Sequence, residues 1–186
     1  MTSESWTQPA SAPPRSALSP RLRKLVLTAH VTFSVGWLGG VAAFLALAIS
    51  GLVTEDPRMV SADYLAMGLI GWYVIVPFSI GALLAGLLQS LATEWGLFRH
   101  YWVLVKLVLT IVVIALLLLH MQLVSYLASV AADGALPMTE LRDLRVQLVG
   151  DAGAAVLVLL AATALSIYKP RGMTGRGRRA LRMRSR

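Results

Sequence analysis

His30, Lys106 and His120 each interrupt an otherwise apolar run of the chain, and Asp151 opens another. Lys106 and His120 stand fourteen positions apart within YWVLVKLVLTIVVIALLLLHM, residues 101–121. At 3.6 residues per turn they share nearly one face of a helix, separated by roughly 21 Å along its axis. An imidazole turned into a helical bundle is suited to axial ligation of haem iron. It can equally be a helix-end histidine hydrogen-bonded to a neighbour. An amine at the position of Lys106 can ligate iron when neutral, hold a propionate when charged, or snorkel to the headgroups. His100 is an interfacial residue with the same ligating chemistry as His30. His120 and Asp151 share a depth and form a candidate polar pair, either a proton relay or a structural hydrogen bond.

The supply of histidine limits this chemistry. With three histidines in two leaflets, two bis-histidine haems are impossible. One haem can be held in the half that contains His30, with His100 or Lys106 opposite. No HxxxH or ExxH cluster occurs, so a zinc or iron site made of side chains alone is not expected. The chain has no cysteine, which excludes disulfides, thiolate metal sites and CxxC redox pairs. It shows neither a Gly-rich phosphate loop nor a Ser-His-Asp constellation.

The elements that must position these residues are membrane spans. Of 186 residues, 57% are hydrophobic and 14% charged, against about 25% charged in ordinary soluble domains. Mean hydropathy is +0.71. The apolar runs place four spans at about 25–53, 64–91, 101–130 and 149–168, giving an all-α, polytopic four-helix bundle over residues 23–169. Residues 1–22 are rich in Ser, Pro and Ala and read as a disordered tail; residues 170–186 form a basic tail. Thr54–Asp63 reads as an acidic loop. Pro77 predicts a kink in the second span. Leu141, Leu144 and Leu148 have helical spacing, with Thr139 as a candidate N-cap, so the fourth helix is expected to start outside the lipid.

Lys and Arg set the orientation. Four precede the first span (Arg15, Arg21, Arg23, Lys24), Arg99 lies in the turn after the second, and eight follow the fourth in residues 169–186, so one side carries thirteen. The other side carries three, Arg58, Arg142 and Arg145. Both termini are therefore expected in the cytoplasm, in the inner membrane of a bacterium. His30 then lies roughly 7 Å and Lys106 roughly 6 Å inside the cytoplasmic boundary, in one layer with Gln89, His100, Ser166 and Tyr168.

Small residues suggest how the spans meet. His30, Ser34 and Trp37 share a stripe of the first. Gly36/Gly40 and Gly81/Ala85 are small-xxx-small pairs, and Asp151, Ala154, Ala155, Val158, Ala161, Ala162 and Leu165 run along the fourth. Such stripes permit close approach in lipid. The same glycines, with Trp37, can leave room for a flat macrocycle. The basic tail reads as a topogenic signal that also touches anionic headgroups; a nucleic-acid partner is not expected. Small-molecule or metal-ion permeation and a non-catalytic scaffold are the rival readings. The face from Lys106 to His120, with Thr110, Val113 and Leu117, is too apolar to suggest a water-filled path.

HVTFSVGWLGG in the first span and WGLFRHYWVLVKL entering the third resemble four-span membrane families that include the copper-resistance D proteins and the haem-b-dependent protoporphyrinogen IX oxidases. From about residue 22 to 175, including GWYVIVPFSIGALL and SIYKPRG, the chain more closely resembles an uncharacterised family of actinobacterial four-span proteins. The oxidase resemblance implies that His30 is a haem ligand and that Lys106 is required for function. The oxidases follow the glycine with an aromatic-Leu-Pro-Arg stretch, whereas here Gly40 is followed by VAAFLAL. The resemblance thus implies haem binding rather than the oxidase reaction. The seven methionines form no MxxxM ladder, which gives no support to copper relay.

Overall fold

The computed structural model describes residues 19–92, 101–132 and 141–168. His100, Thr139, residues 1–18 of the N-terminal tail and the C-terminal tail lie outside the described residues. Those described form four helices, each long and apolar enough to cross a membrane: α1 (Pro20–Val53), α2 (residues 57–92), α3 (Tyr101–Ala132) and α4 (Arg142–Tyr168). The protein is an all-α, multi-pass membrane protein.

Two helix starts are written in the same short code. Ser19 accepts from Leu22 N–H ahead of Pro20, and Asp56 accepts from Arg58 N–H at 3.0 Å ahead of Pro57. In each case the side chain satisfies a first-turn donor, while proline fixes φ where no intrahelical N–H is needed. This is why helices begin outside the apolar runs. α1 takes in residues 20–22, expected in the tail, and α2 begins at Pro57, inside the stretch expected to be a loop. α4 likewise begins at Arg142, ahead of its apolar run.

The break in α2 is a π-helical turn, Gly71–Ile75, just before Pro77. Val76 N–H reaches back to the Gly71 carbonyl, five residues away. A proline within a helix lacks its own N–H and crowds the carbonyl four residues earlier; the wider turn absorbs both defects. It also helps set Trp72, whose indole N–H donates to Ser125 of α3 at 3.0 Å.

The helices follow one another around a square. α1 packs on α2 and α4, and α2 packs on α3, while the diagonal pairs are reached only by long side chains. The α3–α4 seam is the loosest of the four sides. Between α1 and α2 the approach is close. Phe33 and Phe78 meet edge to face with centroids 5.7 Å apart. Phe78 lies over Gly36 and Phe33 over Gly81, so tightly that a Cβ at either glycine would fall within 3 Å of the ring. Each helix thus provides both a ring and the gap that receives one, which is how packing drives association where water expulsion cannot.

The core is lopsided. Call the end where α1 starts and α4 finishes the basic end, after Arg21, Arg23 and Lys24, and the opposite one the far end. On α3, no described side chain before Ile114 is fully buried; on α4, none is after Ala152. Tyr64, Met67, Met121, Val124, Leu127 and Leu148, each at most 1% exposed, fill the far half. Toward the basic end only the α1–α2 interface is tightly closed, through Ser79, Ala82 and Ala85.

Candidate functional site

His30 lies on α1 against α2. Its Nδ1 is 3.0 Å from the Ala82 carbonyl oxygen. A carbonyl only accepts, so Nδ1 carries the hydrogen and Nε2 keeps a free lone pair. Gly86, one turn after Ala82, makes this contact possible. A Cβ at Gly86 would lie 3.1 Å from His30 Cε1, so a larger residue would crowd the ring and screen the carbonyl. Histidines that bind metal commonly have the other ring nitrogen held in this way.

Lys106, on α3, donates to Ser166 Oγ of α4 at 2.6 Å, and Ser166 donates in turn to the Ala162 carbonyl at 2.9 Å. Lys106 and His30 belong to the same half of the bundle. Every described carboxylate, Glu55, Asp56, Asp63, Asp143 and Asp151, belongs to the far half. Among the described residues, the Lys106 ammonium therefore shares its half of the bundle with no anion. Trp37, two turns along the His30 stripe, is buried in the core at 4% exposure. It acts there as packing between the two polar layers.

Fourteen residues along α3, His120 Nδ1 lies 3.1 Å from Asp151 Oδ2. Lys106–Ser166 and His120–Asp151 thus bridge the same seam at two heights. Their spacing is fourteen residues on α3 and fifteen on the antiparallel α4, roughly 21 and 22 Å at 1.5 Å per residue. The loosest side of the bundle is fastened by two polar contacts. His120 packs edge-on to Phe44 of α1, and its Nε2 is buried without a partner.

A third polar group was not foreseen. Arg145 reads as a surface charge in the sequence, yet it is 5% exposed. Its Nε donates to the Tyr64 hydroxyl at 3.0 Å, and Nη2 donates to the Gly51 carbonyl. Asp63, beside Tyr64, is buried as well, with Oδ2 unpartnered. One guanidinium therefore ties α4 to α2 and to the last turn of α1, where exposed carbonyls favour a cation. The available signal was an Asp-Tyr pair early in one span and an Arg early in another. Nothing in their spacing joins them. Beside them, Leu52, Val53, Thr54, Glu55, Arg142 and Arg145 line an open cleft of about 420 Å³.

Among the described residues no three His, Cys, Asp or Glu side chains gather as a metal site. No protein-family model matches this chain, and neither a curated protein nor a solved structure matches it.

Proposed function

We propose that this membrane protein binds haem b in the basic half of the bundle and acts in membrane redox chemistry or electron transfer. The observation that carries the reading is the His30 imidazole: Nδ1–H is engaged by Ala82, which leaves Nε2 as the ligating atom. Two further features support it. Among the described residues, α3 and α4 contribute no fully buried side chain in that half, and Lys106 supplies a cation there that donates to the Ser166 hydroxyl. The resemblance of HVTFSVGWLGG and WGLFRHYWVLVKL to the haem-dependent oxidases points to the same two residues. When bound, haem supplies one-electron chemistry at its iron. The chain's own part is to hold the imidazole through the Ala82 carbonyl, to exclude water through the closed α1–α2 interface, and to offer Lys106 to a propionate. His100 is the other residue that would hold the iron.

The Lys/Arg count supports a cytoplasmic basic end; the proposal places the protein in the inner membrane of a bacterium, with anionic headgroups against its basic tail. Spectra of detergent-purified protein, oxidised and reduced, after expression with ample haem, test the reading. A Soret band lost in His30→Ala is expected. Absence of the band removes the haem proposal, and its persistence in His30→Ala removes the ligand assignment.

A further inference from the structure

The α3–α4 seam is closed unevenly. Toward the far end, Met121 and Leu127 of α3 and Leu148 of α4 are fully buried. Both helices are also tied to the rest of the bundle there, α3 through Trp72–Ser125 and α4 through Arg145. Between His120–Asp151 and the basic end, a single hydrogen bond among the described residues crosses the seam, from Lys106 to Ser166. The Thr110 hydroxyl, one turn further in on α3, is spent on the Lys106 carbonyl, and that of Thr163 on the Leu159 carbonyl, each at 2.8 Å. Neither reaches across. Ser166 commits its own hydrogen to the Ala162 carbonyl, so toward Lys106 it only accepts. α3 and α4 are therefore anchored at the far end and joined at the basic end by a flexible side chain resting on a neutral acceptor. Behind the seam lies the α1–α2 interface, with His30 on the same stripe as the buried Trp37.

We infer that the basic half of the α3–α4 seam is a lateral portal, latched by Lys106 on Ser166, through which an amphiphile with an acidic head passes from the lipid to His30. The inference rests on the haem reading above and gives it a route of entry: haem, a flat apolar ring with carboxylate arms, belongs to that class. The latch selects the class. A carboxylate accepts from an ammonium more strongly than a hydroxyl does, because both partners are charged. An arriving carboxylate therefore takes Lys106 from Ser166 and releases α3 from α4, whereas a neutral or cationic amphiphile leaves the latch closed. The other sides offer no such route. The α1–α2 side is shut by Phe33 over Gly81 and Phe78 over Gly36, and helices in lipid part least readily where packing is closest. The far half is filled by its buried core.

The test staples the seam in the full chain. Thr110→Cys and Ala162→Cys stand one turn inside Lys106 and Ser166 on the two antiparallel helices, and they are the only thiols in the chain. A short bis-methanethiosulfonate bridges them and is removed by reductant. In nanodiscs, haem-free protein bridged before haem is added should gain its Soret band at least fivefold more slowly than the same protein after reduction. Protein loaded first and then bridged should keep its spectrum and lose haem to apomyoglobin at least fivefold more slowly than the reduced form. Ser166→Ala, which removes the acceptor of the latch, should load at least twofold faster to the same final occupancy; unchanged loading there overturns the latch. Loading slowed less than fivefold by the bridge overturns the portal. So does a spectrum altered by bridging the loaded protein, which would make the seam part of the site rather than the way in. Absence of a Soret band from the reduced protein is the distinct failure of haem binding itself, and it removes the portal's passenger as well.

Discussion

His30 and Gly86 are complementary across the α1–α2 interface: the imidazole occupies the space a side chain at 86 would fill, with Cε1 3.1 Å from where a Cβ would stand. Replacing Gly86 by leucine should displace the ring from the Ala82 carbonyl without touching His30. Under the haem reading, Gly86→Leu then loses at least half of the Soret absorbance per protein while helical circular dichroism is retained. Full haem occupancy in Gly86→Leu would show that the Ala82 contact does not orient the ligand.

The two phenylalanines nearby make a prediction about stability alone. A Cβ at Gly36 would collide with the Phe78 ring, so Gly36→Ala forces the ring or the helices apart. A cost of about 1–3 kcal/mol is expected, measured by unfolding in mixed micelles. Phe78→Leu in the same chain should recover part of the loss, because it relieves the same collision.

Arg145 should behave as a structural clasp. Arg145→Met leaves the Tyr64 hydroxyl and the Gly51 carbonyl without their shared donor, and it leaves Asp63 buried. A loss of at least about 2 kcal/mol is expected from two charge-assisted hydrogen bonds. Arg145→Lys should restore less than half of it, since an ammonium on a flexible stem cannot span two acceptors as a planar fork does. A neutral Arg145→Met would mean that the far end is held by packing alone.

These three positions show how much was legible beforehand. The spans were, because lipid-facing and core residues alike must be apolar and so leave long runs in the chain. Helix starts were less so. A run marks where lipid begins, whereas Ser19-Pro20 and Asp56-Pro57 mark where the helix begins, up to two turns earlier. The common face of Lys106 and His120 followed from helical periodicity, and both residues do meet α4. The Ala82 contact did not follow, since a backbone acceptor has no signature in the sequence. Arg145 looked like a topogenic charge because its partners come from two other helices.

The two polar bridges across the α3–α4 seam should contribute little energy individually. A double-mutant cycle on Lys106→Met and Ser166→Ala is expected to give a coupling of about 0.6 kcal/mol and not above about 1.7 kcal/mol, as for interhelical hydrogen bonds in other membrane bundles. A larger value would show that the pair is a principal fastener of the bundle.

Absence of cysteine makes the orientation directly testable, because a single introduced thiol is the only one present. In intact cells, Glu55→Cys should react with a membrane-impermeant maleimide, and Ser185→Cys should react only after permeabilisation. The reverse pattern would invert the assignment made from Lys and Arg.

The interlocking of Phe33 with Gly81 and of Phe78 with Gly36 has a mechanical consequence. It makes the first two helices one stiff slab, so any breathing of the bundle falls to the other pair. Spin labels on α3 and α4 near the basic end should report a broad distance distribution. Labels on α1 and α2 at the same height should report a narrow one.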